Sequence, residues 1–341
     1  MKSLKILIAF SLVLSLLAAG LCTSASALVI HENGFGFEVN SSKHTATLVS
    51  YDGDGGRVVL PEYFYGYPVT VIDKNAFSGN ESITEVVFSN TNTTVEEYAF
   101  MNCTALETVY IPENVKSFGD RAFAGCTSLK TVTMLSDIVS MPTNMFSGCT
   151  SLCELTISES IAEFGYGCFN GCSSLTNLDF ASNGVMLQSY AFNGTGAESV
   201  VLSDSLIAIP DYAFTNCSQL KYVTVPDSVV LIQPNAFDYE NLTIRCYYDS
   251  YAYDFAGGKG VARELLDDIT LGDANGDGVI SISDVTTIQR HLAEFESLDG
   301  VRLLAANIES GNDVDISDAT SLQMFLAEYE TDYPVGAPIT V

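Results

Sequence analysis

A phenylalanine recurs at a nearly fixed interval through the middle of this 341-residue chain, and that period constrains the fold more than any other feature. The interval is 23 residues, with one interval of 22, and the eight members are Phe77, Phe100, Phe123, Phe146, Phe169, Phe192, Phe214 and Phe237. In most units a small residue precedes the phenylalanine, Gly/Asn-Cys follows it, and a Leu-x-x-Val-x-Ile pattern comes next. A fixed period of this length predicts a solenoid in which each turn packs on the next.

Each unit predicts one short β-strand. In the third unit the alternation directs Val132 and Met134 inward and Thr131 and Thr133 outward. One strand per turn would build a parallel ladder and place each phenylalanine against the next at roughly the 4.7 to 4.9 Å strand spacing. The phenylalanines are therefore predicted to form the spine of the core, and not a ligand site.

The repeat resembles the bacterial surface-protein class of leucine-rich repeats with a 23-residue Ala-Phe-x-Gly-Cys unit. The resemblance covers about residues 61–253, with flanks at 34–71 and 248–256 that resemble the N-terminal and closing caps of this family. It implies a capped, β-rich, parallel-stranded solenoid of eight turns. We expect an N-terminal β cap over residues 28–60 and a solenoid with its C-terminal cap over 61–262.

Five cysteines occupy one repeat position, and Thr195 stands where a sixth would lie; the five are Cys103, Cys126, Cys149, Cys172 and Cys217. Export would favour disulfides, but neighbours in such a column lie one coil apart, which is wider than the Cβ separation of about 3.8 Å in a disulfide. We predict reduced, buried thiols that act as small apolar side chains. Cys168 takes the small core position before a phenylalanine, whereas Cys153 and Cys246 lie off the column with no partner assigned.

The N-terminus predicts export. Lys2 and Lys5, an apolar run over 6–21 and Ala-Ser-Ala at 25–27 form a signal peptide over residues 1–27. A retained anchor is the alternative, but this run is short for a hydrocarbon core of about 30 Å. We expect a secreted, extracellular protein associated with a scaffold or cell surface, without membrane insertion. The formal net charge of −28 also disfavours nucleic acid as a partner.

Residues 273–284 fit the twelve-residue calcium loop, with Asp in place of Glu at the last position. The expected oxygen ligands of Ca²⁺ are the side chains or carbonyls of Asp273, Asn275, Asp277, Val279, Ser281 and Asp284. The alternative, a turn rich in Asp and Gly, must produce six matched positions by accident.

The loop returns 34 residues later, where the expected ligands are Asn307, Glu309, Asp313, Asp315 and Asp318. This second loop has Gly311 at the fifth position and Asn312 in place of glycine at the sixth, so we expect it to bind Ca²⁺ more weakly. No helix leads into either loop, but a stripe at helical spacing follows each one. The stripes are Val285, Ile288, Leu292 and Phe295, and Ala319, Leu322, Leu326 and Tyr329.

Two calcium-loop–helix units without entering helices resemble a type I dockerin, the small all-α module that binds cohesins on a cellulosome scaffold. The resemblance covers residues 266–333 and leaves 334–341 as a tail. It implies Ca²⁺ as cofactor, the cohesin module of a scaffold protein as partner, and two related sets of docking residues. These sets are Ile282, Ser283, Gln289 and Arg290, and Ile316, Ser317, Gln323 and Met324. The alternative for the two isoleucines is that they pack inside the module.

Catalysis finds little support in the sequence. His31, His44 and His291 all lie outside the eight turns, and the chain has no tryptophan to stack on sugars. We therefore predict a non-catalytic binding or adhesion protein, docked to a scaffold, whose solenoid presents a recognition surface for an unknown protein or glycan. The alternative is a cellulosomal enzyme or accessory factor of plant polysaccharide breakdown. The outward strand face could equally be a merely solvated surface.

Overall fold

In a computed structural model, the described residues are 28–179, 186–248, 250–266, 270–295, 297–298, 300–311, 313–329 and 332–339. The predicted signal peptide and Asn312 lie outside these residues. The described part forms a β-solenoid with caps, followed by a helical region with a hydrophobic core of its own.

The N-terminal cap is a small antiparallel sheet that merges with the solenoid. Strands β1 (Ile30–Glu32), β2 (Phe35–Asn40) and β3 (Thr45–Tyr51) pair in antiparallel order, and β3 pairs in parallel with β6 (Tyr67–Ile72), which also carries the short strand β5 (Tyr63–Phe64). The Tyr51 ring lies 5.3 Å from the ring of Phe77, the first phenylalanine of the repeat. The cap therefore covers the apolar end of the solenoid.

The predicted repeat strands form a parallel ladder in two sheets of five strands. Thr131 pairs with Thr108 and Glu154, while Val132 and Met134 are buried, which confirms the inward and outward assignment. The strands are β4 (Gly56–Val59), β7 (Ile83–Val87), β9 (Thr108–Ile111), β11 (Thr131–Met134) and β13 (Glu154–Thr156), then β15 (Asn177–Asp179), β17 (Ser199–Val201), β19 (Tyr222–Thr224), β21 (Thr243–Cys246) and β22 (Ala262–Leu265).

The solenoid has about nine turns, against the eight predicted. Its main ladder has ten strands, because β4 and β22 come from the segments on either side of the eight phenylalanine repeats and add one strand at each end. Between them, helix α1 (Tyr251–Lys259) packs Ala252 and Ala256 into the core.

The expectation of one strand per turn was wrong, because a second, two-residue strand recurs on another side of the coil. These short strands pair in parallel in three groups, and the first group extends the sheet that contains β6. They are β8 (Thr94–Val95), β10 (Ser117–Phe118), β12 (Ser140–Met141), β14 (Glu163–Phe164), β16 (Met186–Leu187), β18 (Ala208–Ile209) and β20 (Leu231–Ile232). Two residues are too few to show a period-2 alternation, so the sequence carried no signal for them.

The eight phenylalanines form a continuous stack at one corner of the coil. Consecutive ring centroids are 4.7 to 5.6 Å apart, and the ring planes differ by 2° to 13°. All eight side chains are buried, which confirms the predicted core spine. In the third turn the corner has positive φ at Arg121 (57°) and Gly125 (73°), two residues before and after the phenylalanine. The second of these positions holds glycine or asparagine in most turns because these residues tolerate the left-handed region best.

The cysteine column has a bonding pattern that the sequence did not predict. Each thiol donates to the carbonyl oxygen of the phenylalanine one turn earlier, as Cys126 Sγ does to Phe100 O at 3.2 Å, and the five distances are 3.2 to 3.3 Å. The eight described cysteines are free thiols, buried except for Cys153. Burial raises the pKa of the Cys168 and Cys217 thiols, so both stay protonated and able to donate.

The helical region contains α2 (Ile282–Leu292), α3 (Gly300–Ala306) and α4 (Ile316–Leu326). The expectation that no helix leads into either loop was wrong for the second loop, because α3 ends at Ala306, directly before Asn307. The core of the helical region includes the inner halves of the two predicted stripes, namely Val285, Ile288, Ala319 and Leu322, together with residues from α3 and its flanks. The last residues of the stripes do not join this core: Phe295 is 81% exposed and Tyr329 is 68% exposed, whereas Leu326 packs against it. Both helices end before these residues, and left-handed Glu294 and Glu328 turn the chain away from the core.

The segment after residue 333, expected as a tail, packs back on the start of the helical region. Gly336 N donates to Leu271 O at 2.7 Å, and Leu271 N donates to Ala337 O at 3.0 Å. Tyr333 and Val335 pack against the helical core. These hydrogen bonds hold the two ends of the helical region together.

We expect Phe146→Ala to lower the free energy of unfolding by about 3 to 5 kcal/mol, because it opens a cavity between two stacked rings. Phe123 and Phe169 lie 5.5 and 5.6 Å away on either side. Thr131→Ala, on the outward face of the same solenoid, should cost less than about 0.5 kcal/mol. Urea denaturation of the two variants measures the difference, and equally small losses would contradict a core built on the stack.

Candidate calcium loops and docking surface

The first loop turns its predicted side-chain ligands inward through hydrogen bonds to its own backbone. Asp273 Oδ1 accepts from Gly276 N and Asp277 N at 3.0 and 3.1 Å, and Asp273 Oδ2 accepts from Gly278 N at 2.9 Å. Asn275 Oδ1 accepts from Asp277 N, and Asp277 Oδ1 accepts from Val279 N. Gly278 has a φ of 80°, as expected for the residue at the sharp turn.

The closing carboxylates of both loops are held in the same way. Asp284 accepts from Ser281 N at 2.8 Å and from Asn275 N at 3.0 Å. Asp318 accepts from Asp315 N at 2.8 Å and from Glu309 N at 2.9 Å. Each one joins its loop to the capping box that begins the following helix, so the two loop–helix units are built alike.

The carboxylates of Asp284 and Asp318, which close the two loops, are buried. Their negative charge needs a counter-charge nearby. A buried carboxylate is costly unless a counter-charge accompanies its hydrogen bonds. The ion pairs among the described residues all lie within residues 31–264, so none of them serves Asp284 or Asp318. A cation at the loops would supply that charge.

The donor set at the first loop consists of oxygen atoms, which is the set that Ca²⁺ prefers. Among the described residues, no three Asp, Glu, His or Cys side chains form a cluster that could hold a metal ion by themselves. A cation there would therefore also need the Asn275 amide, the Val279 carbonyl and the Ser281 hydroxyl. The residue types fit Ca²⁺, and a bound ion would contribute charge neutralisation and loop order.

The second loop closes on itself by a different contact. The Asn307 amide bridges Gly311, accepting from its N–H through Oδ1 and donating to its carbonyl through Nδ2, both at 2.9 Å. Glu309 Oε1 accepts from the Ser321 hydroxyl at 2.7 Å, which draws this carboxylate towards α4. Asp313 is exposed. This neutral amide bridge closes the second loop through contacts between its own residues.

The residues expected to bind cohesin lie at related positions of α2 and α4. Ile282 and Ile316 are each 64% exposed at the first position of their helices, so the alternative of internal packing was wrong. The remaining six are exposed except for half-buried Ser317; they are Ser283, Gln289, Arg290, Ser317, Gln323 and Met324.

Phe295 and Tyr329 form another related pair, which the sequence analysis identified only as the ends of the two apolar stripes. Each follows a left-handed glutamate, Glu294 or Glu328, just beyond its helix. Alanine ends both helices one residue earlier, at Ala293 and Ala327. The shared interval of 34 residues was the signal that could have identified them as one duplicated feature, and not as two helix ends.

On the solenoid, the outward strand residues form the two rows that the sequence predicts. The first row contains Glu85, Thr108, Thr131 and Glu154, then Asn177, Ser199 and Tyr222. The second contains Val87, Tyr110, Thr133 and Thr156, then Asp179, Val201 and Thr224. Inter-turn ion pairs such as Lys130 with Glu107 (3.0 Å) border this face, but exposed pairs of this kind contribute little stability.

A parallel-stranded solenoid with a 23-residue corner repeat defines a leucine-rich-repeat protein. The model of the BspA type leucine rich repeat region matches in six copies over residues 70–195 and 185–250, which is more than half of the sequence. The chain belongs to this family. Membership indicates a non-enzymatic binding or adhesion role, and an extracellular or surface-associated location is typical of such proteins.

Two solved structures are similar to part of this chain. A leucine-rich-repeat protein of T. pallidum is 24% identical over 60% of this chain and 85% of its own, with a TM-score of 0.47. A leucine-rich cell surface protein of Faecalibacterium prausnitzii is 24% identical over 65% of this chain and 77% of its own, with a TM-score of 0.44. No curated protein matches the sequence. Within the described residues, no helix has the length and apolar character needed to cross a bilayer.

We expect Asp273→Ala to weaken Ca²⁺ binding more than Asn307→Ala. Asp273 provides a charged ligand, whereas the neutral amide of Asn307 is already used to bridge its own loop. Isothermal titration of the full chain with Ca²⁺ should show the higher-affinity event lost in the first variant and retained in the second. The reverse order would show that the second loop is the stronger site.

Proposed function

We propose that this protein is a non-catalytic binding protein that is exported and held on an extracellular scaffold by calcium-dependent docking of its C-terminal module to a cohesin. The observation that carries the proposal is the duplication of an exposed docking set on two equivalent loop–helix units. Each unit presents an exposed isoleucine at the start of its helix and an exposed glutamine seven residues later. A capping-box aspartate lies two residues after the isoleucine.

Calcium has a structural role in this proposal. The first loop concentrates the carboxylates of Asp273, Asp277 and Asp284 beside the start of α2, where their mutual repulsion opposes folding. Bound Ca²⁺ neutralises this charge and fixes the loop, which orients Ile282 and Ser283 for docking. The hydrogen bonds that Asp284 accepts link the loop to the helix, so loop order and helix position are coupled.

The near-symmetry of the module supports two docking modes. Three of the four related pairs are identical, and only Arg290 and Met324 differ. A half-turn about the pseudo-two-fold axis would present the second set to the same partner surface. Arg290 carries a guanidinium and Met324 a thioether, and these two groups contribute differently at the rim of an interface. We therefore expect the two docking modes to differ in affinity.

The solenoid provides the recognition function. Its outward rows are mixed in chemistry, with threonine, tyrosine and carboxylate side chains that can contact a protein or glycan. A hydrolase of plant polysaccharides is the weaker candidate, because no histidine lies in the eight turns and no carboxylate pair is singled out. Docking and recognition thus belong to different parts of the chain.

The docking proposal predicts a pattern across double variants of the full chain, measured against a panel of type I cohesins in Ca²⁺. Ile282→Asp with Ser283→Asp should weaken binding about two- to tenfold, as should Ile316→Asp with Ser317→Asp, because the other set still docks. All four changes together should abolish binding. Thr131→Ala on the solenoid is the matched control and should leave the affinity unchanged.

Complete loss from the first pair alone would establish a single docking mode. Cohesin binding that persists in the quadruple variant, or in excess chelator, would contradict the docking proposal itself.

A further inference from the structure

Three neighbouring tyrosines lie in a row along the outer edge of the phenylalanine corner, with Tyr166 tilted by 49° from Tyr190 and Tyr190 stacked on Tyr212. The rings of Tyr166 and Tyr190 are 5.3 Å apart, and those of Tyr190 and Tyr212 are 4.8 Å apart with planes only 18° from parallel. Tyr166 and Tyr212 are exposed and Tyr190 is half-buried between them. The protein thus carries a second aromatic row, which lies on its surface and not in its core.

This row stops at Tyr212, because the next turn has Asn235 at the corresponding position. Tyr190 covers one face of the Tyr212 ring. The side towards the following turn borders an open cleft of about 680 Å³, lined by Tyr212, Ser218, Asn235, Asp238, Tyr239 and Glu240, among others. The last ring of the stack therefore presents a face to the cleft.

The cleft lies where the last corner departs from the repeat, with Tyr239 and Glu240 in place of the usual Gly/Asn-Cys pair. Its length alone does not set it apart: Phe237 and Leu242 are five positions apart, as are Phe192 and Ala197, against six for Phe214 and Leu220. The replacement of the pair removes the cover that Gly/Asn-Cys gives the preceding turn elsewhere. Its effect is visible at Cys217, which is 5% exposed although the other column thiols are fully buried.

Tyr190 and Tyr212 occupy a corner position that has positive φ throughout the repeat. Both have a φ of 63°, in the left-handed region, which a bulky side chain adopts at a cost in backbone energy. Asn75, Asn144 and Gly167 occupy the same repeat position in other turns and adopt this region at lower cost. Tyrosine at these two positions is thus unfavourable for the backbone alone.

The lining of the cleft is suited to a ligand rich in hydroxyl groups. Asp238 uses Oδ2 to accept from Asn216 N, and its second oxygen accepts no hydrogen bond from the described residues. Glu240 and Asn241 add further acceptors at the same wall. Tyr239 forms the opposite aromatic wall, where Lys259 Nζ lies 5.3 Å from its ring centroid.

We propose that this cleft binds a neutral pyranose unit of a glycan, with the apolar face of the sugar stacked on Tyr212 and its hydroxyls donating to Asp238 and Glu240. The cleft volume falls within the range of about 300 to 1,000 Å³ typical of small-ligand sites. Acidic lining and a net charge of −28 act against an anionic sugar. The proposal deepens the binding role assigned to the solenoid and rests on it, but it does not depend on docking.

The test uses the full chain and four probes: cellohexaose, xylohexaose, mannohexaose and, as an anionic comparison, hexagalacturonic acid. Isothermal titration and saturation-transfer NMR should detect binding of at least one neutral oligosaccharide and none of the anionic one. Tyr212→Ala should lower the affinity at least about tenfold, whereas Tyr212→Phe, which keeps the ring, should stay within about threefold of the unmodified protein.

Two further variants separate the site from the fold. Tyr98 has the same repeat position and a φ of 59°, but its ring faces Lys74 and Arg121, so Tyr98→Ala should leave glycan affinity unchanged. Ser218→Trp should block the cleft without altering the stack and abolish binding.

Absence of binding to all three neutral probes would overturn the proposal, as would equal losses in Tyr98→Ala and Tyr212→Ala. Binding of hexagalacturonic acid alone would overturn it too. Cohesin affinity, measured in parallel, should be the same in every variant, so a failure of the glycan site is distinguishable from a failure of docking.

Discussion

The in-register stacking of identical phenylalanines is the contact on which the rest of the solenoid depends. Ring separations of 4.7 to 5.6 Å begin at the spacing between hydrogen-bonded strands and exceed it by less than about 1 Å, so the stack and the ladder can follow the same sequence of turns. A turn with a different rise would disrupt either the ring stacking or the strand pairing. Corner loops can therefore vary in length only where the ring position is preserved.

The 22-residue turn shows how such a variation is accommodated. The rings of Phe192 and Phe214 remain 5.6 Å apart although the corner between them has lost a residue. Gly196 makes this shortcut possible, since a Cβ at this position would lie 2.2 Å from Ser173 O. Thr195 then takes the place of the column cysteine, with its hydroxyl 3.3 Å from Cys217 Sγ. The deletion is absorbed in the backbone of the corner, and the core is unchanged.

The sequence predicted those parts of the structure in which many residues share one pattern. The main ladder was predictable because Val132 and its equivalents repeat in every turn, and the candidate calcium loop was recognisable because six positions match the loop pattern at once. The second ladder was missed because Ser117–Phe118 and its equivalents are too short for a periodicity.

The ends of the apolar stripes depend on where each helix stops. Helical spacing places Phe295 beneath Leu292 only if the helix continues, and left-handed Glu294 ends that continuity. The tyrosine cleft was not predicted because it lies where one corner departs from the repeat, and a single departure leaves no periodic signal. Periodic contacts are thus readable from the sequence, while terminations and deletions depend on three-dimensional geometry.

The column of thiols has a consequence for the chemical durability of the solenoid. Each sulfur is a hydrogen-bond donor to the turn before it, so the S–H proton is part of the packing. Burial keeps the Cys217 thiol protonated, and the thiolate is the form that peroxides and other oxidants attack. The sulfur-rich core is therefore shielded from oxidative damage by its own folding, and a turn that frays would expose its cysteine to irreversible modification before its neighbours.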